Sequence, residues 1–298
     1  MTEVIKTARL TKRYGRVEAV RDLNLIVPEA AIYALVGPNG AGKTTTIKIL
    51  MNIFQASGGT AEVLGMGSTK VAGKVFQEIG YVSENQQMPE WMMTGALLQY
   101  VRGFYPKWDA QLESELVKQL NLPLERKVRQ LSRGMKMKLA LASSMAYHPR
   151  LIVLDEPFGG LDPLVRDELI EALLERATEA TIFISSHDLA EIESFASHVG
   201  YMSQGRLQFS EEMGSLAARF REVEVTLEAP RSVAAEMPKS WLQIESAGVV
   251  VRFVESEFDE RRTREHIRRV FGDTGEVDFR SMTLRKIFLA IARKGAEV

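Results

Sequence analysis

The spacing of hydrophobic positions changes along this chain, and each change predicts a different kind of element. Val4, Ile5, Ala8 and Leu10, followed by Leu23, Leu25 and Val27, alternate with polar residues, which predicts strands of an antiparallel ribbon. Ala30 to Val36 is a continuous apolar run ending at Gly37, the pattern of a buried strand. After Gly42 the period lengthens, and Ile47, Leu50, Ile53 and Phe54 share one face of a predicted helix. From about Met92 to His148 the pattern stays helical, with Leu97, Leu98 and Val101 in one segment and Leu112, Leu116, Val117 and Leu120 in the next. Leu151 to Leu154 then predicts a buried strand, Leu164 to Ala177 a helix, Thr181 to Ser185 a strand and Leu189 to Ala196 a helix. Such alternation implies a mostly parallel sheet.

The pattern breaks around Gly214 to Arg221. Beyond it, Glu222 to Leu227 and Val249 to Val254 predict strands, Asp259 to Phe271 a helix, Glu276 to Phe279 a short strand and Met282 to Arg293 a last helix. The expected organisation is therefore an α/β domain over 1–215, with a helical subdomain over about 84–148, and a small α+β domain over 220–298. There is no internal repeat.

Composition narrows the function. The 298 residues carry 38 Lys+Arg against 39 Asp+Glu, a net charge of -1, which argues against a dedicated nucleic-acid binder. Without cysteine, thiolate metal sites and thiol nucleophiles are excluded, and His148, His187, His198 and His266 are too scattered for a helical zinc pair. A spanning helix needs roughly 20 apolar residues, and no apolar run approaches that length. The first residues lack the basic and apolar regions of a secretory signal, so a location inside the cell is expected.

Chemistry is carried by a few segments. Gly37-Pro38-Asn39-Gly40-Ala41-Gly42-Lys43-Thr44 fits G-x-x-x-x-G-K-[ST] and lies between a predicted strand and a predicted helix. In that setting the glycines let backbone N–H groups from about Asn39 to Thr45 turn inward at a helix N-terminus, where a polyphosphate fits. Lys43 would reach the β- and γ-phosphates and the Thr44 hydroxyl would bind Mg²⁺. Leu151 to Leu154 ends in Asp155 and Glu156, on the ligand-binding edge of an open α/β sheet. Asp155 is placed to hold Mg²⁺ and Glu156 to deprotonate an attacking water. A phosphate-loop NTPase fold with an N-terminal antiparallel β subdomain and a helical insert is the fold class expected.

With these segments in this order, the chain resembles the ATP-binding subunit of an ABC transporter from about residue 4 to residue 210. Leu131-Ser132-Arg133-Gly134-Met135 is similar to the family's Leu-Ser-Gly-Gly-Gln, with Arg133 for a glycine and Met135 for the glutamine. The resemblance implies that Ser132 and Gly134 meet the γ-phosphate bound by an opposite subunit, although Ser132 as a plain helix cap is the simpler alternative. It also implies that Tyr14 stacks on adenine, that Asp162 lies in the loop passing between subunits, and that His187 is the switch histidine at the γ-phosphate. Asp162 and Pro163 equally suit an ordinary helix start. Glu84 falls where the family usually has a metal-sensing glutamine, and an oxygen ligand is kept there; Gln86 and Gln87 nearby are the alternatives.

The same resemblance implies ATP and Mg²⁺, a dimer of ATPase subunits, homo- or heteromeric, peripheral on the cytoplasmic face of the cell membrane, and a separate transmembrane permease. Glu84 and the small C-terminal domain resemble the ABC-2-type exporter subgroup. A soluble ABC ATPase and an ATP-binding regulatory subunit with little turnover are the alternatives. Met88, Trp91, Met92 and Met93 suit either a partner's helix or the core of the helical insert. Arg261, Arg262, Arg264, Arg268 and Arg269 suit a solvated face stitched by i,i+4 pairs, or anionic lipid.

Overall fold

The computed structural model of the protein describes residues 2–229 and 237–294. The chain divides into two compact units, Met1–Ser210 and Glu211–Val298.

In the first unit, β1 (Glu3–Tyr14) pairs antiparallel with β2 (Val17–Leu23) and with β3 (Ile26–Pro28). β4 (Ile32–Val36) and α1 (Lys43–Leu50) follow, then β5 (Gly58–Val63), β6 (Met66–Gly67) and β7 (Ile79–Val82). β5 and β6 complete the antiparallel sheet, in the order β2-β1-β5-β6. The helical insert holds α2 (Thr94–Arg102), α3 (Ala110–Gln119) and α4 (Arg133–Met145). β8 (Leu151–Asp155), α5 (Pro163–Arg176), β9 (Thr181–Ser186), β10 (His198–Ser203) and β11 (Arg206–Glu212) come next. The second sheet runs β11-β10-β4-β9-β8-β7, and its five strands from β10 to β7 are parallel.

This order has one consequence for chemistry. β4, β8 and β9 are neighbours, so Gly37, Asp155 and Ser186 all leave the sheet at the same carboxyl edge. Ile47, Ile49 and Leu50 of α1 are buried in one apolar cluster with Ile5 and Leu23 of the antiparallel sheet and Leu35, Val153 and Phe183 of the parallel one. Burial at roughly 25 cal/mol per Å² of apolar surface fixes α1 between the two sheets, and with it the loop that precedes the helix.

Several predicted bounds shift. α1 stops at Leu50 instead of running to Phe54, because Asn52 takes a left-handed conformation (φ 54°). The N–H of Ile53 then reaches Lys48 O at 2.8 Å and that of Asn52 reaches Ile49 O at 3.1 Å, a Schellman ending. Leu189 to Ala196, predicted as a helix, forms consecutive turns instead. The Ser186 hydroxyl and Asp188 carboxylate take up the local N–H donors of Asp188 and Ala190, which competes with helix formation. β5, β7, β10 and β11 were not predicted as strands; β10 and β11 are joined by Gln204 and Gly205, both at positive φ as a tight hairpin turn requires.

The second unit contains α6 (Met213–Arg219), β12 (Arg221–Leu227), β13 (Trp241–Ala247), β14 (Val250–Glu255), α7 (Glu260–Phe271), β15 (Thr274–Ser281) and α8 (Leu284–Lys294). Its antiparallel sheet has the order β13-β14-β12-β15. Here α6 stands where the sequence pattern appeared broken; with only Leu216 buried, it shows no apolar period to read. Trp241 centres the core, stacked on Phe253 at 3.9 Å and on Phe271 at 5.8 Å between ring centroids.

Candidate active site

The loop from Gly37 to Gly42 is shaped by backbone crowding. A Cβ on Gly37 would lie 2.1 Å from Met202 O, and one on Gly42, already at φ 105°, would lie 2.3 Å from Ala19 O. Only glycine fits either position. Pro38, Asn39 and Gly40 form an exposed crown, Ala41 is buried beneath it and Thr45 is half-buried. Gly42 caps α1 with no side-chain hydrogen bond, so the first N–H groups of the helix stay available to an anion.

Lys43, 4 % exposed, turns its Nζ back over the loop. It donates to Gly37 O at 2.6 Å and Pro38 O at 3.3 Å, and pairs with Glu156 Oε1 at 3.1 Å. Glu156 accepts on its other oxygen from His187, whose Nδ1 lies at 2.7 Å and whose N–H lies at 3.2 Å from Oε2. Lys43, Glu156 and His187 are thus one bonded row.

A second row lies beside it. Thr44 Oγ1 donates to Asp155 Oδ1 at 3.0 Å, and Ser185 Oγ donates to the same oxygen at 2.7 Å. Ser185 Oγ also accepts the N–H of Glu156 at 3.0 Å, joining the two rows. That bond helps hold Glu156 at φ 50°, a conformation costing of order 1–3 kcal/mol for a residue other than glycine. Such strain is found where a side chain must be aimed.

The electrostatics follow from burial and these partners. The hydrogen bond that His187 donates to Glu156 raises the His187 pKa above its ordinary value, against the opposing effect of desolvation. Burial raises the Asp155 carboxyl, outweighing the hydrogen bonds from Ser185 and Thr44 that lower it. Burial, with the Asp155 charge second, pushes Tyr81 up to about 12. Burial likewise raises Glu191, which accepts from Ser186 Oγ at 2.8 Å. A site that disfavours the Asp155 anion by burial favours it again when a cation arrives.

The other expected residues fall into separate places. Ser132 caps α4, accepting from Met135 N at 3.2 Å, and a Cβ on Gly134 would meet Val165 Cγ1 at 2.9 Å, so the first turns of α4 and α5 are packed together. Asp162 caps α5 through Val165 N at 3.1 Å. Tyr14 is 44 % exposed, edge-on to Phe54 at 6.1 Å. Glu84, expected beside the metal, lies with Oε1 4.0 Å from Arg133 Nη2. No three acidic or histidine side chains converge as a metal cluster among the described residues; Thr44 and Asp155 are joined as an oxygen pair at this edge.

Sequence reasoning passed over Ser185. Its signal was present: a hydroxyl ending an otherwise apolar strand, in register with Asp155 on the neighbouring strand. Of the doubtful segments, Trp91 is 74 % exposed while Met92 is half-buried. In the tail, Arg261 and Arg264 are paired at i,i+4 with Glu265 and Glu260.

A family model described as ABC transporter matches residues 20–159. The bacitracin transport ATP-binding protein of Bacillus licheniformis is 36% identical over 70% of this chain and 69% of its own length. The daunorubicin/doxorubicin resistance ATP-binding protein of Streptomyces peucetius is 30% identical over 79% of this chain and 76% of its own. Among solved structures, an ATP-binding subunit of an ABC transporter superposes with a TM-score of 0.66 at 25% identity, covering 72% of this chain and 92% of that one. A dimeric ATP-binding cassette in a post-hydrolysis state with ADP and phosphate shares the fold, with a TM-score of 0.63 at 20% identity over 70% of this chain and 98% of its own.

Proposed function

The chain belongs to the ABC transporter ATP-binding family, and from that premise we propose that it binds and hydrolyses ATP to drive export through a separate transmembrane permease. The observation that carries this reading is the pair of joined rows, Lys43–Glu156–His187 and Thr44–Asp155–Ser185. They combine a phosphate cradle, a hard-oxygen pair and a base on one sheet edge.

ATP binding begins with an exchange. The polyphosphate takes the N–H groups at the start of α1 and replaces Glu156 as the partner of Lys43, while Tyr14 stacks on adenine. Thr44 and Asp155 fit Mg²⁺ by donor chemistry and by the buried, raised carboxyl; when bound, the ion neutralises charge on the phosphate oxygens. Glu156, released from Lys43 at Oε1, orients a water and takes its proton there. His187 keeps Glu156 Oε2 fixed through Nδ1 and faces the γ-phosphate.

Ser132, Gly134 and Asp162 act in a dimer of such subunits, homo- or heteromeric, where the start of α4 closes on the nucleotide of the opposite subunit. A switch from 1:99 to 99:1 needs ATP to favour the closed dimer by about 5.5 kcal/mol, within reach of charge-assisted contacts at paired sites. No helix among the described residues is long and apolar enough to cross a membrane. We place the subunit on the cytoplasmic face, docked on its permease; relatives named for bacitracin transport and for daunorubicin/doxorubicin resistance support export as the direction.

The test is phosphate release by the purified protein and by Glu156→Gln. Turnover is expected to fall by about 10²–10⁴ in the variant, the usual worth of a general base, with nucleotide binding kept. A variant as fast as the wild type overturns the assignment.

A further inference from the structure

Two residues depart from the family pattern on segments far apart in sequence, Glu84 after β7 and Arg133 at the start of α4, and the structure brings them together. Arg133 Nη2 lies 4.0 Å from Glu84 Oε1. We propose that they are a matched pair: the guanidinium neutralises the carboxylate and ties the loop after β7 to the first turn of α4, which makes Arg133 a positioning residue for ATP turnover. The inference rests on the ATPase reading above.

Three observations support the match. First, Arg133 is the first residue of α4, where a cation opposes the helix dipole and an anion is favoured. An arginine at that position is unfavourable alone, and Glu84 supplies the missing negative charge. Second, the same two segments are joined again one turn along the helix, where Lys136 Nζ meets Glu90 Oε1 at 3.2 Å, and just before the helix, where Arg129 N donates to Glu90 O at 3.1 Å. The loop is thus held along the helix face, beside a pocket of about 450 Å³ lined by Glu84, Met88, Arg133, Lys136 and Met137. Third, the guanidinium lies over the turn that leads to α5: a Cβ on Gly160 would be 2.9 Å from Arg133 Nη1. Arg133 therefore touches the Glu84 loop, the start of α4 and the approach to Asp162 at once.

The location gives the charge its meaning. Val82 is paired with Leu154, so Glu84 leaves the sheet beside Asp155 and Glu156. A third carboxylate at an edge that must accept a polyphosphate would repel it. Paired with Arg133, Glu84 adds no net charge there.

A double-mutant cycle of Glu84→Gln, Arg133→Gly and both together, with the reversed pair Glu84→Arg/Arg133→Glu, tests this in the full chain. Each single substitution should lower kcat about threefold, the coupling of a half-exposed ion pair; Glu84→Gln should leave KM for ATP unchanged, while Arg133→Gly, which leaves the Glu84 charge unpaired, should raise it. The double substitution and the reversed pair should recover kcat, and raised salt should erase the differences. Additive losses, or a reversed pair no better than the singles, overturn the match. The calorimetric unfolding midpoint of the same proteins reads the pair without ATP. A wild type that shows coupling there yet never turns over ATP sinks the ATPase reading and Arg133's part in it; turnover with additive variants sinks the pair alone.

Discussion

Ser185→Ala is the sharpest probe of how the site is held. The hydroxyl is fully buried, donates to Asp155 Oδ1 at 2.7 Å and accepts from Glu156 N at 3.0 Å. Its removal leaves the Glu156 N–H buried without a partner and deprives a buried carboxylate of one of its two donors. Leaving one such group unsatisfied costs about 1–3 kcal/mol, and the loss at Asp155 adds to it, so a destabilisation of about 2–3 kcal/mol is expected. For a unit of this size each kcal/mol lowers the midpoint by about 2–4 °C, which predicts a fall of about 4–12 °C. Differential scanning calorimetry measures it, and the transition belonging to the first unit is the one that nucleotide shifts upward. Turnover should fall as well, since Glu156 loses the bond that supports its strained backbone. A midpoint within a degree of wild type, with unchanged turnover, would refute the argument that Ser185 joins the two rows.

Other outcomes follow from the same geometry. Gly37→Ala should abolish nucleotide binding and lower stability, because its methyl would meet Met202 O at 2.1 Å; equilibrium binding of a fluorescent ATP analogue reads the first effect. His187 should titrate above 6.5 by NMR and return toward that value in Glu156→Gln, because Glu156 is the largest cause of the rise. The sign is fixed: the stabilisation from this contact is full below the unfolded pKa and is lost as pH rises through the folded one. Lys43→Met should leave Glu156 without its cation and remove phosphate affinity, giving loss of ATP binding by calorimetric titration with the fold intact.

Much of this site was legible because its chemistry is local. Gly37 to Thr44 places cradle, lysine and hydroxyl on consecutive residues, and Asp155 and Glu156 end an unmistakable apolar strand. What escaped was set by pairing across strands. Ser185 matters only because its strand runs in register beside Asp155, and the approach of Arg133 to Glu84 joins segments far apart in sequence. Likewise β5 gave little signal: it opens with Gly58 and Gly59 and has mostly exposed residues, so only its partner strand reveals it. The turns over 189–196 misled for the opposite reason, since Ile192 and Phe195 keep an apolar spacing while neighbouring side chains capture the backbone donors.

The crowding around the phosphate loop carries a genetic consequence. What a side chain at Gly37 or Gly42 would strike is the carbonyl oxygen of Met202 or of Ala19, atoms that every amino acid possesses. A suppressor screen starting from Gly37→Ala should therefore yield no revertants at position 202, because no replacement there removes the obstacle. Rescue has to come from changes that shift a whole strand, or from reversion to glycine. The nearest obstacle at Gly37 and at Gly42 is thus main chain, and Met202 stays constrained for a separate reason, as a fully buried member of the core.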